Sequence, residues 1–213
     1  LAVLRALASL GAGADVFSAG ELHLALAAGM SPSSLLFNGS SKSPADLALA
    51  VEKSVIVSVD SLDELHQLDA AAAQAGKRAE IAFRVNPALE VPTHPKIATG
   101  LATSKFGIAH EQIPAAYDEA LACDSIDPIG IHCHIGSQIL SVEPFARACE
   151  VMVRIAAAIT DRGVHLKFID LGGGLGIPYR RSEERAPTPS EYAEAVVPAF
   201  KRGIAAAGIS PSL

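Results

Sequence analysis

The sequence predicts an α/β fold of parallel strands and helices, and three observations support this prediction. Short apolar or β-branched runs alternate with segments of helical period along nearly the whole chain. The composition is 50% hydrophobic and 5% aromatic with no Trp, which favours helices packed on a buried sheet. Several strands finish on a polar or glycine residue, as they do at the catalytic face of a barrel. We therefore expect an incomplete TIM-type (β/α)8 barrel, and a doubly wound open sheet is the alternative.

The first half of the chain is predicted to contain a leading helix, four strands and the helices between them. Residues 1–10 repeat apolar side chains with helical period. The strands are predicted over 13–18, 35–38, 55–60 and 79–86, because these runs are short and apolar. The helices are predicted over 20–28, from Ser43-Pro44 through Glu52, and from Ser61 to about Ala75. Pro at a first helical position and the capping box Ser61-x-x-Glu64 mark the last two helix starts.

The second half continues the alternation after a long loop rich in Pro, Gly and Thr, residues 87–107. Helices are predicted over about 111–122, 143–160 and 190–207, and strands over 128–135 and 165–171. About six of the eight βα units of a barrel are thus predicted, and a full barrel needs about 250 residues. The chain starts inside a helical pattern without Met and stops where another strand would begin, so we expect an excerpt of a longer protein.

Charge and composition exclude several classes of function. The net charge of −6 argues against a surface for nucleic acid or an anionic membrane. No apolar run reaches the roughly 18 residues that span a bilayer, and no signal peptide opens the chain. The three cysteines, Cys123, Cys133 and Cys149, form no Cys-x-x-Cys pair. This pattern excludes a disulfide scaffold and a cysteine-rich zinc site, and it fits a reducing cytoplasm.

The strongest local motif is Asp170-Leu-Gly-Gly-Gly-Leu-Gly176, directly after a predicted strand. Consecutive glycines expose backbone N–H groups, which can form a concave site for a phosphate. The spacing does not match the dinucleotide pattern Gly-x-Gly-x-x-Gly, and no Lys-Ser or Lys-Thr pair follows as in a P-loop. We predict a phosphate site here, and a tight turn after a buried strand is the alternative.

A second motif is Ile131-His-Cys-His-Ile-Gly-Ser-Gln138. Alternation along a strand places His132 and His134 on one side and Cys133 on the other. His134 then lies nearest the carboxyl end of the strand, where functional side chains of a barrel are found. A metal site at the two histidines and a pair of core histidines are the alternatives, although no third metal ligand lies close in the sequence.

The third candidate is the long loop, which carries Thr93-His-Pro-Lys-Ile-Ala-Thr-Gly100 and Ser104-Lys-Phe-Gly107. A loop of about 20 residues in a compact domain is usually functional or flexible. The loop is therefore a candidate part of the site, and a surface excursion is the alternative.

These motifs together resemble one family. Arg84-Val-Asn-Pro87, Thr93-His-Pro, Thr99-Gly-Leu and Ser104-Lys-Phe-Gly-Ile108 are similar to the matching run in diaminopimelate decarboxylases. The histidine motif, the glycine motif and the opening Gly13-Ala-Asp-Val-Phe-Ser-Ala-Gly-Glu-Leu22 fit the same family in order and spacing. By this resemblance the chain is identified as a member of the alanine-racemase-like, fold-type III pyridoxal 5′-phosphate (PLP) decarboxylases. The Thr-His and His-Ile-Gly-Ser-Gln details favour the diaminopimelate branch over the ornithine and arginine branches.

The resemblance also implies roles for residues at matching positions. His134 is expected to stack on the pyridine ring of PLP, and the phosphate is expected to be held by Ser137 and the amides of Gly172, Gly173 and Gly174. The cofactor pocket is expected to be lined by Asp15, Ser18, Glu21 and Arg84. Lys105 is expected on the loop over the pocket mouth, as a second catalytic candidate beside His134. No metal ligand is implied. A phosphate cradle and a flat partner for the ring are what PLP requires of a protein.

The reaction implied by the resemblance is decarboxylation of meso-2,6-diaminopimelate to L-lysine and CO₂, the last step of lysine biosynthesis, in a cytoplasmic homodimer. The lysine that holds PLP covalently, the proton-donating Cys and a C-terminal β domain are expected outside residues 1–213. We therefore expect residues 1–213 to form the PLP-binding barrel domain and to be inactive alone. The alternatives are a decarboxylase for arginine, ornithine or carboxyspermidine, or a PLP-binding homologue without catalytic function.

Overall fold

The computed structural model of the chain describes residues 1–89, 106–179 and 185–213. In these residues the structure has seven helices and seven strands, one strand more than predicted, and helices and strands alternate along most of the chain as predicted. The helices are α1 (Ala2–Ser9), α2 (Ala19–Ala27), α3 (Pro44–Lys53), α4 (Leu62–Gln74), α5 (Ile113–Ala122), α6 (Glu143–Thr160) and α7 (Pro189–Ala207). The strands are β1 (Ala14–Val16), β2 (Leu35–Phe37), β3 (Ile56–Val59), β4 (Ala79–Asn86), β5 (Ile108–Ala109), β6 (Ile126–Cys133) and β7 (Phe168–Asp170). The predicted site residue Lys105 and the segment from Thr93 to Gly100 lie outside the described residues.

The chain forms two compact units. The first unit consists of Leu1–Phe83 and Ala116–Ile129, and the second consists of Arg84–Ala115 and Gly130–Leu213. The strands β4 and β6 contribute residues to both units.

The first unit is built on parallel strands in the order β1-β2-β3-β4. Every residue of β2 and β3 is buried, so neither strand shows an alternation of apolar and polar positions. Such continuous apolar runs are typical of a parallel sheet that is covered on both faces. The helices α3 and α4 bury leucines, among them Leu47, Leu65 and Leu68.

Local sequence explains where two helices of the first unit begin. At α3, the Ser43 hydroxyl accepts from the Asp46 N–H at 3.2 Å, and the Asp46 carboxylate accepts from the Ser43 N–H at 2.9 Å. These two hydrogen bonds form a capping box. At α4, the Ser61 hydroxyl accepts from the Glu64 N–H, but the Glu64 carboxylate accepts from the N–H of Asp60. The predicted capping box at Ser61 is therefore formed only in part.

The second unit contains the parallel pair β6 and β7 and the short strand β5 beside the end of β4. Gly130 of β6 lies opposite Phe168 of β7. A Cβ atom on Gly130 would lie only 2.3 Å from the Phe168 ring, so this close approach requires a glycine. The helices α6 and α7 pack on each other, and the Phe145 and Tyr192 rings meet edge to face with centroids 5.0 Å apart.

Several element bounds differ from the prediction. The strand predicted over 128–135 is β6, which ends at Cys133, so His134 follows the strand instead of closing it. The strand predicted over 165–171 is paired only over Phe168–Asp170, and β5 was not predicted. A short 3-10 turn, His110–Gln112, precedes α5. Among the described residues, the structure contains no helix with the length and apolar character needed to cross a bilayer.

Candidate cofactor site

The histidine motif and the glycine motif lie at the same end of two adjacent parallel strands. β6 ends at Cys133, one residue before His134, and β7 ends at Asp170, two residues before Gly172. The two strands are in register, with His132 opposite Asp170. The carboxyl end of parallel strands is where α/β proteins bind ligands. The second unit therefore brings the two predicted motifs together.

The imidazole of His134 lies against the loop that follows β7. A Cβ atom on Gly172 would lie 2.9 Å from the His134 Nδ1 atom and 2.6 Å from the Cys133 carbonyl oxygen. A Cβ atom on Gly174 would lie 3.5 Å from the His134 Cε1 atom and 2.0 Å from the Gly136 carbonyl oxygen. Both glycines also have positive φ, +67° and +106°. Any side chain at these two positions would collide with the histidine segment, so both positions require glycine.

Gly173 differs from its two neighbours. It is exposed, its φ lies outside the left-handed region, and a Cβ atom placed on it would meet no atom within 4 Å. Packing therefore does not explain a glycine here. A bare backbone that faces open space is the arrangement that allows a phosphate to approach N–H groups closely.

The loop offers fewer free donors than the sequence suggested. The Gly172 N–H donates to the Asp170 carboxylate at 2.6 Å, so this donor is already used. In the described part of the chain, the N–H groups of Gly173 and Gly174 donate to no protein acceptor. Gly173 and Gly174 are thus the available donors of the loop, whereas phosphate binding by Gly172 stays a prediction. Ser137 is exposed in the segment that follows β6, and its predicted contact with the phosphate also stays a prediction.

Electrostatics keep His134 neutral. Burial, followed by the nearby charge of Arg84, lowers the pKa of His134 below its ordinary value of 6.5. Arg84 itself is buried, with 5% of its surface exposed, and its guanidinium lies over the Phe106 ring at 5.0 Å. The second unit therefore combines a neutral, flat imidazole with a buried cation. This set of groups suits an anionic, aromatic ligand.

The cysteines of the second unit are not placed as nucleophiles. Cys133 is fully buried, with its Sγ atom 4.0 Å from the Leu171 carbonyl oxygen, and burial raises the pKa of its thiol. Burial also raises the pKa of Cys149 to about 11. Both groups are therefore thiols at neutral pH, and the thiolate is the reactive form.

The predicted site residues of the first unit have a structural role at the start of α2. The Ser18 hydroxyl accepts from the Glu21 N–H at 3.2 Å, and the Glu21 carboxylate accepts from the Phe17 N–H at 2.7 Å. Both side chains thus cap the helix. Asp15 is exposed on β1. Their predicted contact with a cofactor is not tested by these contacts and stays a prediction.

A buried ion pair in the first unit is absent from the sequence prediction. The Lys42 ammonium, whose side chain is only 1% exposed, lies 2.8 Å from the Glu64 carboxylate and donates to the Ser58 carbonyl oxygen at 2.8 Å. Burial raises the pKa of Glu64, and the charge of Lys42 opposes this shift. Lys42 lies beside the polar run before α3, and nothing in that run distinguishes it from a surface lysine. Only the tertiary contacts reveal it as a link between the ends of β2, β3 and the start of α4.

The residues present fit the group that the resemblance implies. PLP needs backbone donors for its phosphate and a flat partner for its ring, and both are usually placed by the protein in advance. The loop at Gly173 has open space and two free donors, and the His134 imidazole is neutral and lies against that loop. The second unit therefore has the groups that would hold PLP.

Comparisons with known proteins agree with this geometry. A family model described as "Pyridoxal-dependent decarboxylase, pyridoxal binding domain" matches residues 1–210. The diaminopimelate decarboxylase of Archaeoglobus fulgidus is 53% identical over 201 residues, which are 94% of this chain and 48% of that protein. The corresponding protein of Aquifex aeolicus is 41% identical over 193 residues, 90% of this chain and 46% of its own length.

Solved structures give the same result. The diaminopimelate decarboxylase of Helicobacter pylori, complexed with L-lysine, has a TM-score of 0.88 at 34% identity and covers 94% of this chain and 50% of its own. The M. jannaschii enzyme, also in complex with L-lysine, has a TM-score of 0.89 at 34% identity, covering 100% of this chain and 49% of its own. The likeness confirms the predicted fold class, an incomplete (β/α)8 barrel. The chain spans about half the length of the curated relatives it matches. It belongs to the pyridoxal-dependent decarboxylase family, whose cofactor is PLP and whose pyridoxal-binding domain it matches.

Proposed function

We propose that residues 1–213 form the PLP-binding barrel domain of a longer enzyme that converts meso-2,6-diaminopimelate to L-lysine and CO₂, the last step of lysine biosynthesis. Relatives named for this reaction support it, and so does the L-lysine present in two similar solved structures. The observation in this chain that carries the proposal is the loop at Gly173, with its open space and free donors, next to a neutral His134.

The residues of the second unit then divide the work of holding the cofactor. PLP, when bound, supplies an electron sink for the charge left on Cα as the carboxylate leaves as CO₂. The N–H groups of Gly173 and Gly174 bind the phosphate, together with the Ser137 hydroxyl. The His134 imidazole packs on the ring, and Arg84 adds a buried positive charge beside His134. Gly172 shapes the loop, because its own N–H is held by Asp170.

The neutral state of His134 matters for this role. A neutral imidazole packs on an aromatic ring without adding a second cation beside Arg84, and its burial excludes water from that side of the ring. A charged imidazole would be penalised both by desolvation and by the guanidinium. His134 is therefore a packing partner and not a proton donor in this proposal.

The remaining predicted residues complete the proposed site. Asp15, Ser18 and Glu21 are proposed as residues that line the cofactor pocket, and Lys105 as a catalytic residue of the loop. Ser18 and Glu21 also cap α2, so variants at these two positions will lose helix stability as well as any contact with the cofactor.

The proposed function is tested with the full-length protein that contains this chain. CO₂ release is measured with meso-2,6-diaminopimelate, L-arginine, L-ornithine and carboxyspermidine. We expect kcat/KM for meso-2,6-diaminopimelate to exceed the others by at least about 100-fold, since a site built to bind the distal carboxylate of this substrate rejects substrates that lack it. Faster release from any of the other three would assign the enzyme to a different branch. PLP binding with no CO₂ from any substrate would mean a non-catalytic homologue.

We also propose a cytoplasmic homodimer with a small diamino acid as substrate and no nucleic-acid or membrane partner. The net charge of −6 supports the absence of a nucleic-acid or anionic-membrane partner, and the three free cysteines support a reducing compartment. Light scattering on the full-length protein and fractionation of the source cells test it. A monomer at micromolar concentration, or recovery with the membrane fraction, would contradict it.

A further inference from the structure

The glycine loop is joined to the segment after β6 by its own backbone. The Ile139 N–H donates to the Gly174 carbonyl oxygen at 2.9 Å, and the Gly176 N–H donates to the Ile139 carbonyl oxygen at 2.9 Å. Ile139 and Leu175 thereby form a parallel bridge outside the named strands. The two segments behave as a short continuation of the β6–β7 pair. A change in one segment will therefore move the other.

Gln138 extends this connection with its side chain. Its Oε1 atom accepts from the Ile177 N–H at 3.1 Å, and its Nε2 atom donates to the Ile177 carbonyl oxygen. The side-chain amide thus pairs with both backbone groups of one residue, as a peptide unit would in a strand. Gln138 is the last residue of the histidine motif, and the structure directs its amide to the protein backbone.

Gln138 has a backbone conformation that is unfavourable for any residue with a side chain. Its φ is +57°, in the left-handed region that glycine adopts without strain. A glycine at this position would relieve the strain but could not bind Ile177. The chain accepts an unfavourable backbone conformation and gains two hydrogen bonds to the end of the glycine loop.

Gln138 and Asp170 fix the glycine loop at its two ends. The Asp170 carboxylate accepts from the Gly172 N–H at 2.6 Å at the start, and the Gln138 amide binds Ile177 at the end. Between these points lies Gly173, with no atom within 4 Å of its Cβ position. Gly173 is thus positioned only through its neighbours, one of which, Gly174, is held by the Ile139 N–H.

We propose that Gln138 is a positioning residue that acts through Ile177 to fix the glycine loop for the phosphate of the cofactor. This inference rests on the phosphate site proposed above. Pre-organised donors bind an anion more tightly than donors that must first be ordered. The effect of Gln138 is therefore specific to the phosphate, whereas the aromatic ring is held by other groups.

Two variants separate this role from simple stabilisation. Gln138→Met keeps the size of the side chain and the strained backbone but loses both hydrogen bonds. Gln138→Gly loses the hydrogen bonds and relieves the strain. The apoproteins are expected to differ in melting temperature, with the glycine variant the more stable. Their affinities for PLP are expected to fall together, by about tenfold. Gln67→Met, at an exposed position of α4, is the matched control and is expected to change neither quantity.

The probes are PLP and pyridoxal, titrated into the full-length apoprotein and followed by absorbance. We expect both Gln138 variants to lose about tenfold in PLP affinity and less than about twofold in pyridoxal affinity. Equal losses for the two probes, unchanged PLP affinity, or losses that follow melting temperature would each overturn the inference. If the glycine variant does not fold, Gln138→Met alone tests the inference, through the ratio of its affinity for PLP to its affinity for pyridoxal. A wild-type protein that does not prefer PLP to pyridoxal would instead overturn the proposed phosphate site.

Discussion

His132 and His134 are two residues apart but have different surroundings. His132 is fully buried in β6, opposite Asp170 of β7. His134 follows the strand and lies against Gly172 and Gly174. His132 is therefore placed to support the interior of the second unit, and His134 is placed at the surface of the candidate site.

This difference predicts that the two alanine variants affect different properties: one changes the affinity for PLP and the other changes the free energy of unfolding. In the full-length protein, His134→Ala should weaken PLP binding by about tenfold, because the flat partner of the ring is lost. His132→Ala should instead lower the free energy of unfolding by about 2–4 kcal/mol, because it leaves a cavity and unpaired polar groups in the core. PLP titration and urea unfolding of the apoproteins measure the two effects. A larger loss of affinity in His132→Ala would contradict the assignment, and a metal requirement of either histidine would favour a metal site.

The lowered pKa of His134 predicts a pH dependence of stability. Burial and Arg84 lower the folded-state pKa below 6.5, so the unfolded chain binds this proton more readily. The folded state should therefore be fully stable above about pH 6.5 and lose stability as the pH falls towards the lowered pKa. His134→Gln should remove this part of the loss. Urea unfolding of both apoproteins at about pH 7.5 and pH 5.5 checks it. An equal loss in both proteins would show that His134 does not contribute.

The sequence predicts which strand ends carry the candidate site residues, but not what each of these residues contacts. It placed His134 and the glycines at neighbouring strand ends, because the carboxyl ends of parallel strands share one edge. It could not tell that Asp170 takes the Gly172 N–H, or that Gln138 binds Ile177 instead of a ligand. These contacts depend on side-chain rotamers and on the register of β6 and β7. Neither the rotamers nor the register can be predicted from the local sequence.

Among the elements, the bounds of one long helix and one long strand were predicted correctly. The bounds of α6 and β4 agree with the prediction, 143–160 and 79–86. β6 begins before Pro128, because a strand can include a Pro where its missing N–H needs no partner. β5 has two residues and exists only through its pairing with β4, which sequence alone does not encode. Short strands are defined by their partners more than by their own residues.

The close approach of β6 to β7 makes Gly130 a test of the strand packing. Gly130→Ala would put a methyl group 2.3 Å from the Phe168 ring position, so the ring or the strand must move. We expect a loss of about 1–3 kcal/mol in the free energy of unfolding of the apoprotein, the usual cost of overpacking.

The second substitution Phe168→Leu should recover part of that loss, since it removes the atoms that collide. Urea unfolding of the two single variants and the double variant completes the cycle. Strictly additive losses would mean that the methyl group and the ring do not meet.

At the scale of the whole molecule, ligand binding and stability are linked. A cofactor that binds only the folded state raises its stability by an amount set by the ligand concentration and its dissociation constant. At a PLP concentration of 100 times the dissociation constant, this gain is about 2.7 kcal/mol. A substitution at Gly173 can test the link between PLP binding and stability, because a Cβ atom there would meet no protein atom within 4 Å.

The loop at Gly173 is proposed to bind the phosphate of PLP, and the melting temperature of the full-length Gly173→Val variant tests this claim. Without PLP, the variant should melt with the wild type, and the control Ala205→Val, at an exposed position of α7, should lose only the small helix propensity difference between Ala and Val. With PLP, its stabilisation should fall to about 1.4 kcal/mol or less, because affinity drops by at least about tenfold. The control should keep the full wild-type shift. An undiminished PLP shift in Gly173→Val would contradict the claim, and a lower melting temperature without PLP would assign Gly173 to packing instead.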